Sequence, residues 1–393
     1  MKLLKKCQNY TEATIAREQG WYPYFKVVES QQGPEAVVDG IRMIMLGSNN
    51  YLGLTDHPKV KEATINAVNR FGTGCTGSRY LNGTLTLHEE AEARLAKFMQ
   101  REGVLLFSTG YQTNVGTISS LVGKGEYVIT DRQDHASIVD GCRLSFGKTL
   151  KYRHNDPDDL ERILRKLGPD VGKMVVVDGV FSMEGSLVRL PEVAQLCKQY
   201  QAVLMVDDAH AVGVLGDHGR GTAEHFALEH SVDIVMGTFS KSFATMGGYI
   251  ATDLQIIDYI KHHSRALMFS ASMAPSTVAT VLAALDIIEQ EPERREMLWR
   301  NAHHWRQGLQ QLGFNTGRSA TPVVPVILGE EMLTFQFWKM LFDEGIFTNP
   351  VSRQAVAPDA ALLRTSVIAT HTPEQLDRAL DTFWQVGRAL QVI

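Results

Sequence analysis

"KMVVVDGVFSMEGSLVRLPEVAQLCKQYQAVLMVDDAH", residues 173–210, contains two apolar runs separated by a helical pattern. The runs KMVVVDG (173–179) and AVLMVDD (202–208) are short and largely β-branched or apolar, as buried strands are. Between them, LPEVAQLCKQY has apolar residues at helical spacing. The order of strand, helix and strand predicts parallel strands joined by a crossover helix.

The same alternation continues on both sides of this unit. Further predicted strands are GVLLF (103–107), EYVIT (126–130), DIVMGT (233–238) and GGYIAT (247–252). We therefore predict an α/β fold with a mostly parallel sheet. After Pro275 the pattern changes to long helices, short strands and a closing helix, which predicts a smaller α+β domain. The predicted units are an N-terminal arm (1–45), a large domain (46–275) and a small C-terminal domain (276–393).

Composition excludes several classes of protein. The chain has 393 residues, with 39 Lys and Arg against 44 Asp and Glu, and it has no long basic block, which argues against nucleic acid as a partner. Its four cysteines lie far apart without a CxxC pair, so we predict neither a disulfide framework nor a metal site. This cysteine usage favours the cytoplasm.

Two segments indicate whether the chain has a secretory signal or a membrane-spanning helix. The N-terminal residues lack the apolar stretch of a secretory signal, and the uncharged run 266–285 is broken by serines and Pro275. We predict that this run forms a packed helix with its entry loop, in a soluble protein. Aromatic residues of the arm indicate a core or dimer interface, with peripheral membrane contact as the alternative. They are Trp21, Tyr22, Tyr24 and Phe25.

Five polar segments follow predicted strands: STGYQT, DRQDH, FSMEGS, DDAH and GTFSK. Because ligands gather at the carboxyl ends of parallel strands, these segments predict one shared cleft. A formal GxGxxG at Gly72, Gly74 and Gly77 follows a helical pattern instead of a strand, so we reject it as a dinucleotide fingerprint. Those glycines are better explained as positions where the backbone passes close to neighbouring groups, near the cleft or a subunit interface.

Lys241 is the strongest catalytic candidate. A lysine at the end of a buried strand has a lowered pKa and can attack an aldehyde to form a Schiff base, whereas the alternative is a surface lysine in a turn. Asp207 ends another strand, and a buried carboxylate there needs a cation, which the protonated ring nitrogen of pyridoxal phosphate would supply. His210 could then bond the cofactor's phenolic oxygen, and His135 could stack on its ring.

A phosphate site is predicted where FSTGYQTNVGTISSL passes from a strand into a helix. The backbone N–H groups of Gly110 and Tyr111 would lie at the positive end of the helix dipole. The hydroxyls of Thr238 and Ser240, which flank the candidate lysine, would add donors.

Eight motifs in order resemble the α-oxoamine synthases, a family of fold type I pyridoxal phosphate enzymes. They are SNNYLGL (48–54), GTGCTGSRYLNGT (72–84), DHASIVDG (134–141), VFSMEGS (180–186), VDDAHAVGVLGDHGRG (206–221), GTFSKS (237–242), FSASMAP (269–275) and LLRTSVIATHT (362–372). The resemblance covers nearly the whole chain and implies a seven-stranded sheet in the large domain and a homodimer with its active site at the subunit interface.

The resemblance also implies a role for individual residues. Lys241 would carry the cofactor covalently, Asp207 would pair with its ring nitrogen and His135 would stack on the ring. Ser182 and His210 would contact the cofactor, Thr238 would hold its phosphate, and Ser270 would reach that phosphate from the partner subunit. Asn50 and Arg364 would hold the carboxylate of the amino-acid substrate.

The family joins an amino acid to an acyl-CoA with loss of carbon dioxide. Within it, GWYPYFKVVES and QAVAPDAALLRTSVIATHT are most similar to the branch that condenses L-serine with a long-chain acyl-CoA to give 3-ketodihydrosphingosine. Two alternatives stay open within the family, a glycine acetyltransferase and an 8-amino-7-oxononanoate synthase. A third alternative is a non-catalytic partner subunit that keeps the fold as a scaffold.

Overall fold

The computed structural model describes residues 1–352 and 359–393. Residues 354–358, the first part of the QAVAPDAALLRTSVIATHT motif, therefore lie outside the described residues. The N-terminal segment begins with a 3-10 turn at Lys2–Leu4. Its elements are α1 (Lys5–Gln8), α2 (Glu12–Glu18), β1 (Glu35–Val38) and β2 (Ile41–Met45).

The middle of the chain alternates helices and strands as predicted. The helices are α3 (Pro58–Phe71), α4 (Thr86–Met99), α5 (Gly110–Leu121), α6 (Ala136–Leu144), α7 (Pro157–Leu167), α8 (Leu190–Gln199), α9 (Thr222–His225), α10 (Leu254–His263) and α11 (Arg265–Met268). The strands are β3 (Gly103–Phe107), β4 (Tyr127–Asp131), β5 (Lys148–Tyr152), β6 (Lys173–Asp178), β7 (Val203–Asp207), β8 (Ile234–Thr238) and β9 (Gly248–Thr252).

These seven strands form one sheet in the order β3-β9-β8-β7-β6-β4-β5. Strand β9 runs antiparallel to both neighbours, and the other pairs are parallel, which confirms the predicted seven-stranded, mostly parallel sheet. Strand β5 was not predicted from its own residues. It lies at the sheet edge, where its lysines face solvent, so KTLKY lacks a continuous apolar run.

Both faces of the sheet are covered, which explains the uninterrupted apolar strands. Val175 and Val177 of β6 belong to one hydrophobic cluster, whereas Met174 and Val176 belong to another on the opposite face. Since side chains alternate along a strand, the four central positions of β6, 174–177, are all apolar. The rejected GxGxxG lies in the connection between α3 and α4, and Gly72 ends α3 with a φ of 80°.

The C-terminal part packs helices on a small sheet. Its helices are α12 (Pro275–Gln290), α13 (Glu293–Gln311), α14 (Glu331–Asp343) and α15 (Pro373–Ala389), and its strands are β10 (Val323–Gly329), β11 (Ile346–Phe347), β12 (Asn349–Val351) and β13 (Ala361–Ser366). Strands β10, β13 and β12 form an antiparallel sheet in that order. Strand β11 instead pairs in parallel with β2, so a strand of the predicted arm shares a sheet with the C-terminal part.

The uncharged run 266–285 forms α11, an entry loop and most of α12, as predicted. Val278, Val281 and Leu285 of α12 are fully buried. None of the helices in the described part of the chain has both the length and the apolarity needed to cross a membrane.

Candidate active site

A cavity of about 340 Å³ opens at the carboxyl ends of β4, β6, β7 and β8. Nine of the predicted site residues line it: Gly110, Tyr111, His135, Ser182, Asp207, His210, Thr238, Ser240 and Lys241. Three others, Asn50, Ser270 and Arg364, are not among the described residues that line this cavity. The five polar segments that follow the strands therefore do converge on one cleft.

Lys241 lies in the turn after β8, where its carbonyl accepts a hydrogen bond from the Ala244 N–H at 2.9 Å. Burial lowers the pKa of its amine to about 8, while the nearby carboxylate of Asp207 opposes the shift and the guanidinium of Arg364 adds to it. A substantial fraction of the amine is consequently neutral near physiological pH, as a nucleophile or base requires.

Asp207 is held at the end of β7 by two hydrogen bonds. Its Oδ2 accepts from Asn114 Nδ2 at 2.6 Å, and its Oδ1 accepts from the Ala209 N–H at 2.9 Å. Only 4% of the residue is exposed. The carboxylate is thereby fixed in one orientation inside the cavity.

Asn114 was not identified from the sequence. It lies four residues after Gly110 in α5, and residues at this spacing occupy the same face of a helix. That spacing from the predicted phosphate site was a signal that could have found it. Its Nδ2 also donates to Ser137 Oγ at 2.9 Å, so it ties α5 to both the carboxylate and α6.

His210 follows β7 and is paired with Tyr51. The Tyr51 hydroxyl lies 2.7 Å from His210 Nδ1, and both side chains are buried. Burial, with Lys241 adding to it, lowers the pKa of His210 well below its usual value, and burial raises the pKa of Tyr51. Both groups are therefore neutral, and the tautomer in which Nδ1 accepts from Tyr51 leaves Nε2 as a hydrogen-bond donor.

His135 is the N-cap of α6. Its Nδ1 accepts from the Ser137 N–H at 3.2 Å, and its own backbone N–H donates to Asp178 Oδ2 at 3.0 Å. Burial lowers the pKa of the imidazole, an effect that the Asp207 carboxylate opposes. Because Nδ1 is an acceptor, the neutral ring carries its proton on Nε2.

The first turn of α5 lies where the anion site is predicted. The Thr109 side chain caps the helix by accepting from the Gln112 N–H at 3.1 Å. The N–H groups of Gly110 and Tyr111 begin this helix, where backbone donors have no partner within the helix. A Cβ at Gly110 would lie 2.6 Å from Thr238 Oγ1, so only glycine allows the helix to approach β8 this closely.

These groups suit pyridoxal phosphate. The helix start and the Thr238 and Ser240 hydroxyls, whose oxygens are 3.0 Å apart, can bind a phosphate. The fixed carboxylate of Asp207 can pair with a protonated ring nitrogen, and Lys241 supplies the amine for the aldehyde.

Arg364 lies on β13 beside the cavity residue Ser182. It is 6% exposed, and its Nε donates to the Ser182 carbonyl at 2.6 Å. One Nη donates to Asn49 Oδ1 at 2.9 Å. A guanidinium has five N–H donors, so further donors can bind a substrate carboxylate.

The side chain beside Arg364 is therefore that of Asn49 and not that of Asn50. The Asn50 amide donates to Thr55 Oγ1 at 2.8 Å and to the Gln32 carbonyl at 3.2 Å, and its Oδ1 accepts from the Leu54 N–H at 3.0 Å. These bonds direct the Asn50 side chain toward its own loop and toward Gln32 of the arm. Its substrate role stays a prediction, and Asn49 is a residue that the sequence reasoning missed.

Ser270 lies outside the cavity, where its Oγ accepts from Gln112 Nε2 at 3.0 Å. Its predicted role concerns the partner subunit of a dimer and stays a prediction.

Comparison with known proteins places this chain in a family. The family model described as aminotransferase class I and II matches residues 41–383. The chain belongs to this family. Among aminotransferase class I and II relatives, a serine palmitoyltransferase of Sphingobacterium spiritivorum is 46% identical over 391 residues, covering 100% of this chain and 98% of the relative. An 8-amino-7-oxononanoate synthase of Thermoanaerobacter pseudethanolicus is 43% identical over 378 residues, covering 96% of each chain.

A solved structure of serine palmitoyltransferase from S. paucimobilis with bound PLP-myriocin aldimine has a TM-score of 0.96 and 38% identity, with full coverage of both chains. The predicted α-oxoamine synthase resemblance is thus confirmed within the aminotransferase class I and II family. So are the fold type I architecture, the pyridoxal phosphate cofactor and the class of enzyme, a pyridoxal phosphate-dependent acyltransferase.

Proposed function

We propose that this acyltransferase is a serine palmitoyltransferase. It would condense L-serine with a long-chain acyl-CoA such as palmitoyl-CoA, release CoA and carbon dioxide, and give 3-ketodihydrosphingosine, the first step of sphingolipid biosynthesis. The observation that carries this proposal is the likeness to serine palmitoyltransferases over the whole chain, at 46% identity in sequence and a TM-score of 0.96 in structure.

The cofactor would be held from three sides. The N–H groups of Gly110 and Tyr111, with the Thr238 and Ser240 hydroxyls, would bind its phosphate. Asp207 would pair with its ring nitrogen, and His135, Ser182 and His210 would contact the ring and its substituents. When bound, pyridoxal phosphate supplies an electron sink for a carbanion at the substrate Cα.

The chain's own residues would orient the substrate and move its protons. Arg364, oriented by Asn49, would bind the serine carboxylate. The same ion pair would position that carboxylate for its later loss as carbon dioxide. The Lys241 amine, with its pKa of about 8, would remove the Cα proton. The Nε2–H of His135 would then donate to the thioester oxygen while CoA leaves.

We also propose a homodimer in which Ser270 serves the partner's site. Phe269, beside it, is 73% exposed, and a large apolar side chain at that exposure suits a subunit contact. A mixed dimer of K241A and S270A chains would test this, because only one of its two sites then combines Lys241 with the partner subunit's Ser270.

The proposed organisation keeps the arm, large domain and small domain at 1–45, 46–275 and 276–393. The proposed location is the cytoplasm, which the four free cysteines support. For the aromatic side chains of the arm, a core or dimer interface stays the first expectation and peripheral membrane contact the alternative.

A substrate matrix tests the function. Serine, glycine and alanine would each be offered with acetyl-CoA and palmitoyl-CoA, and release of CoA would be followed. We expect the highest kcat/KM for serine with palmitoyl-CoA. A preference for alanine would favour an 8-amino-7-oxononanoate synthase, the second candidate, which the 43% identity to such an enzyme supports. A colourless protein that releases no CoA would favour a non-catalytic subunit.

A further inference from the structure

A groove of about 960 Å³ runs between the N-terminal segment and α14. We call it the arm groove; it is lined by residues that include Ala13, Trp21, Tyr24, Phe25, Met332 and Phe335. We propose that the arm groove binds the alkyl chain of the acyl-CoA substrate. This inference rests on the proposed function and adds the site that would select the length of the chain.

The walls of the arm groove are aromatic and open to solvent. The rings of Trp21 and Phe335 pack with centroids 5.4 Å apart and join the two walls. Around them, Phe25 is 92%, Tyr24 39% and Met332 42% exposed. Contiguous exposed apolar surface of this kind marks a binding site, because leaving it in water has a free-energy cost.

The size and chemistry of the arm groove suit a long alkyl chain. Its volume of 960 Å³ is close to the upper end of ordinary ligand pockets, which is about 1,000 Å³. The lining includes three charged side chains, those of Glu12, Lys26 and Glu331. The Lys26 Nζ lies 3.1 Å from Asp39 Oδ2 and 4.8 Å from the ring centroid of Phe342, so this ammonium already has partners. The aromatic and aliphatic side chains of the lining provide the apolar surface that an alkyl chain would contact.

The arm groove lies close to the predicted substrate site. Asn349, one of its lining residues, lies directly opposite Arg364 in the β12–β13 ladder. Its Nδ2 also donates to the Gly47 carbonyl at 2.8 Å, two residues before Asn49. An acyl group that reacts beside Arg364 would thus have the end of the groove next to it.

Gly47 allows close packing between the arm groove and the loop that carries Asn49. A Cβ at Gly47 would lie 2.7 Å from the ring of Phe347, another lining residue, so glycine lets the ring pack against this loop. The segment 47–49 therefore connects a lining residue of the arm groove with the partner of Arg364.

Filling the arm groove tests the proposal. Ala13 of α2 lines it and Thr14 beside it is exposed and outside it, so A13W and T14W form a matched pair. In the pyridoxal phosphate-loaded dimer, kcat/KM would be measured with hexanoyl-, decanoyl- and palmitoyl-CoA. We expect A13W to lower the value for palmitoyl-CoA about tenfold or more and that for hexanoyl-CoA less than about twofold, while T14W changes neither by more than about twofold.

If A13W folds poorly, a substitution in α14, the other side of the arm groove, provides an independent test. M332W should shift the chain-length preference in the same direction, with the thermal midpoint confirming a folded protein. Equal chain-length profiles for A13W, M332W and T14W would overturn the proposal. So would a uniform loss for all three acyl-CoAs accompanied by dissociation of the dimer, because the groove would then be a contact between copies of the chain.

Failure of the proposed function would look different. In that case the wild-type protein would itself fail to use palmitoyl-CoA, or serine would not perturb the cofactor absorbance. The groove inference is judged only by how variants change the chain-length profile of a wild type that uses long acyl-CoAs.

Discussion

The cofactor cavity holds charged side chains by hydrogen bonds, whereas the walls of the arm groove consist largely of aromatic side chains that pack against one another. Asp207 in the cavity is 4% exposed and accepts two hydrogen bonds. Phe25 in the arm groove is 92% exposed, and Trp21 meets Phe335 only through ring packing. The two regions therefore differ in burial, in polarity and in how far each side chain is fixed.

The difference follows from what each region would bind. A carboxylate that pairs with a ring nitrogen must be held in one place, because electrostatic stabilisation depends on preorganised geometry. An alkyl chain needs only apolar area, at about 0.8 kcal/mol for each buried methylene. Changes in the cavity should therefore alter the reaction itself, and changes in the arm groove should alter which acyl chain is used.

The largest effect is expected for K241A. Removing the amine should abolish covalent cofactor binding, measured by its absorbance, and lower turnover by about 10³-fold or more. K198A, at an exposed lysine of α8, serves as the control and should behave as wild type. Normal turnover by K241A would end the assignment of the cavity as the reaction centre.

D207N should have the second-largest effect. Without the negative charge the ring nitrogen loses its partner, and we expect kcat/KM to fall by about 10²-fold with weaker cofactor affinity. The neighbouring Asp208 accepts from the backbone and hydroxyl of Thr222 and does not line the cavity among the described residues. D208N should thus reduce the thermal midpoint more than the cofactor affinity, and the reverse pattern would reassign the two carboxylates.

N114A would remove one hydrogen bond to Asp207 while leaving the Asp207 charge in place, so it separates the orientation of this carboxylate from its charge. The Asn114 bond to Asp207 is charge-assisted, so its loss should lower cofactor affinity by about tenfold, as followed by absorbance titration. The chain-length preference should not change. A shift in that preference would mean that the cavity and the arm groove are not independent.

The rate of cofactor capture should depend on pH. Because the pKa of Lys241 is lowered to about 8, its neutral fraction rises as pH increases through that value. The rate at which the apoprotein takes up pyridoxal phosphate should therefore increase about tenfold between about pH 7 and pH 9, by stopped-flow absorbance. A midpoint near 10.5, the ordinary value for lysine, would contradict burial of the amine.

W21A in the arm groove should have the smallest effect on the chemistry. It removes the ring packed on Phe335 and should change the serine-induced absorbance shift by less than about twofold, because the proposed serine site beside Arg364 does not include this ring pair. Y10A, at an exposed tyrosine also on the groove lining, allows the same measurement without loss of the ring pair. A large change in serine binding would show that the arm supports the cavity directly.

Much of the cavity could be predicted because its residues end strands. Lys241, Asp207 and His210 each follow an apolar run at a recognisable position, and parallel strands bring such positions to one edge. Asn49 could not be separated from Asn50 in this way. Which of the two adjacent amides meets Arg364 depends on a contact across 315 residues, which local patterns do not encode.

Two features of the fold also could not be predicted from local sequence patterns. The buried strands of the large sheet were found from their apolar runs, but edge strand β5 lacks one. The pairing of β2 with β11 was also missed, since a strand of two residues leaves no pattern and its partner is distant in the chain. Contacts of this kind arise from the assembled tertiary structure.

During synthesis of the chain, β2 cannot pair with β11 until β11 has been translated. Ile44 meets Ile346, which leaves the ribosome roughly 300 residues later, or ~15–60 s at about 5–20 residues per second. Until then β1 and β2 are an isolated hairpin, which is only marginally stable in water. Trp21 of the same region packs on Phe335, so its ring also lacks this partner until late in translation.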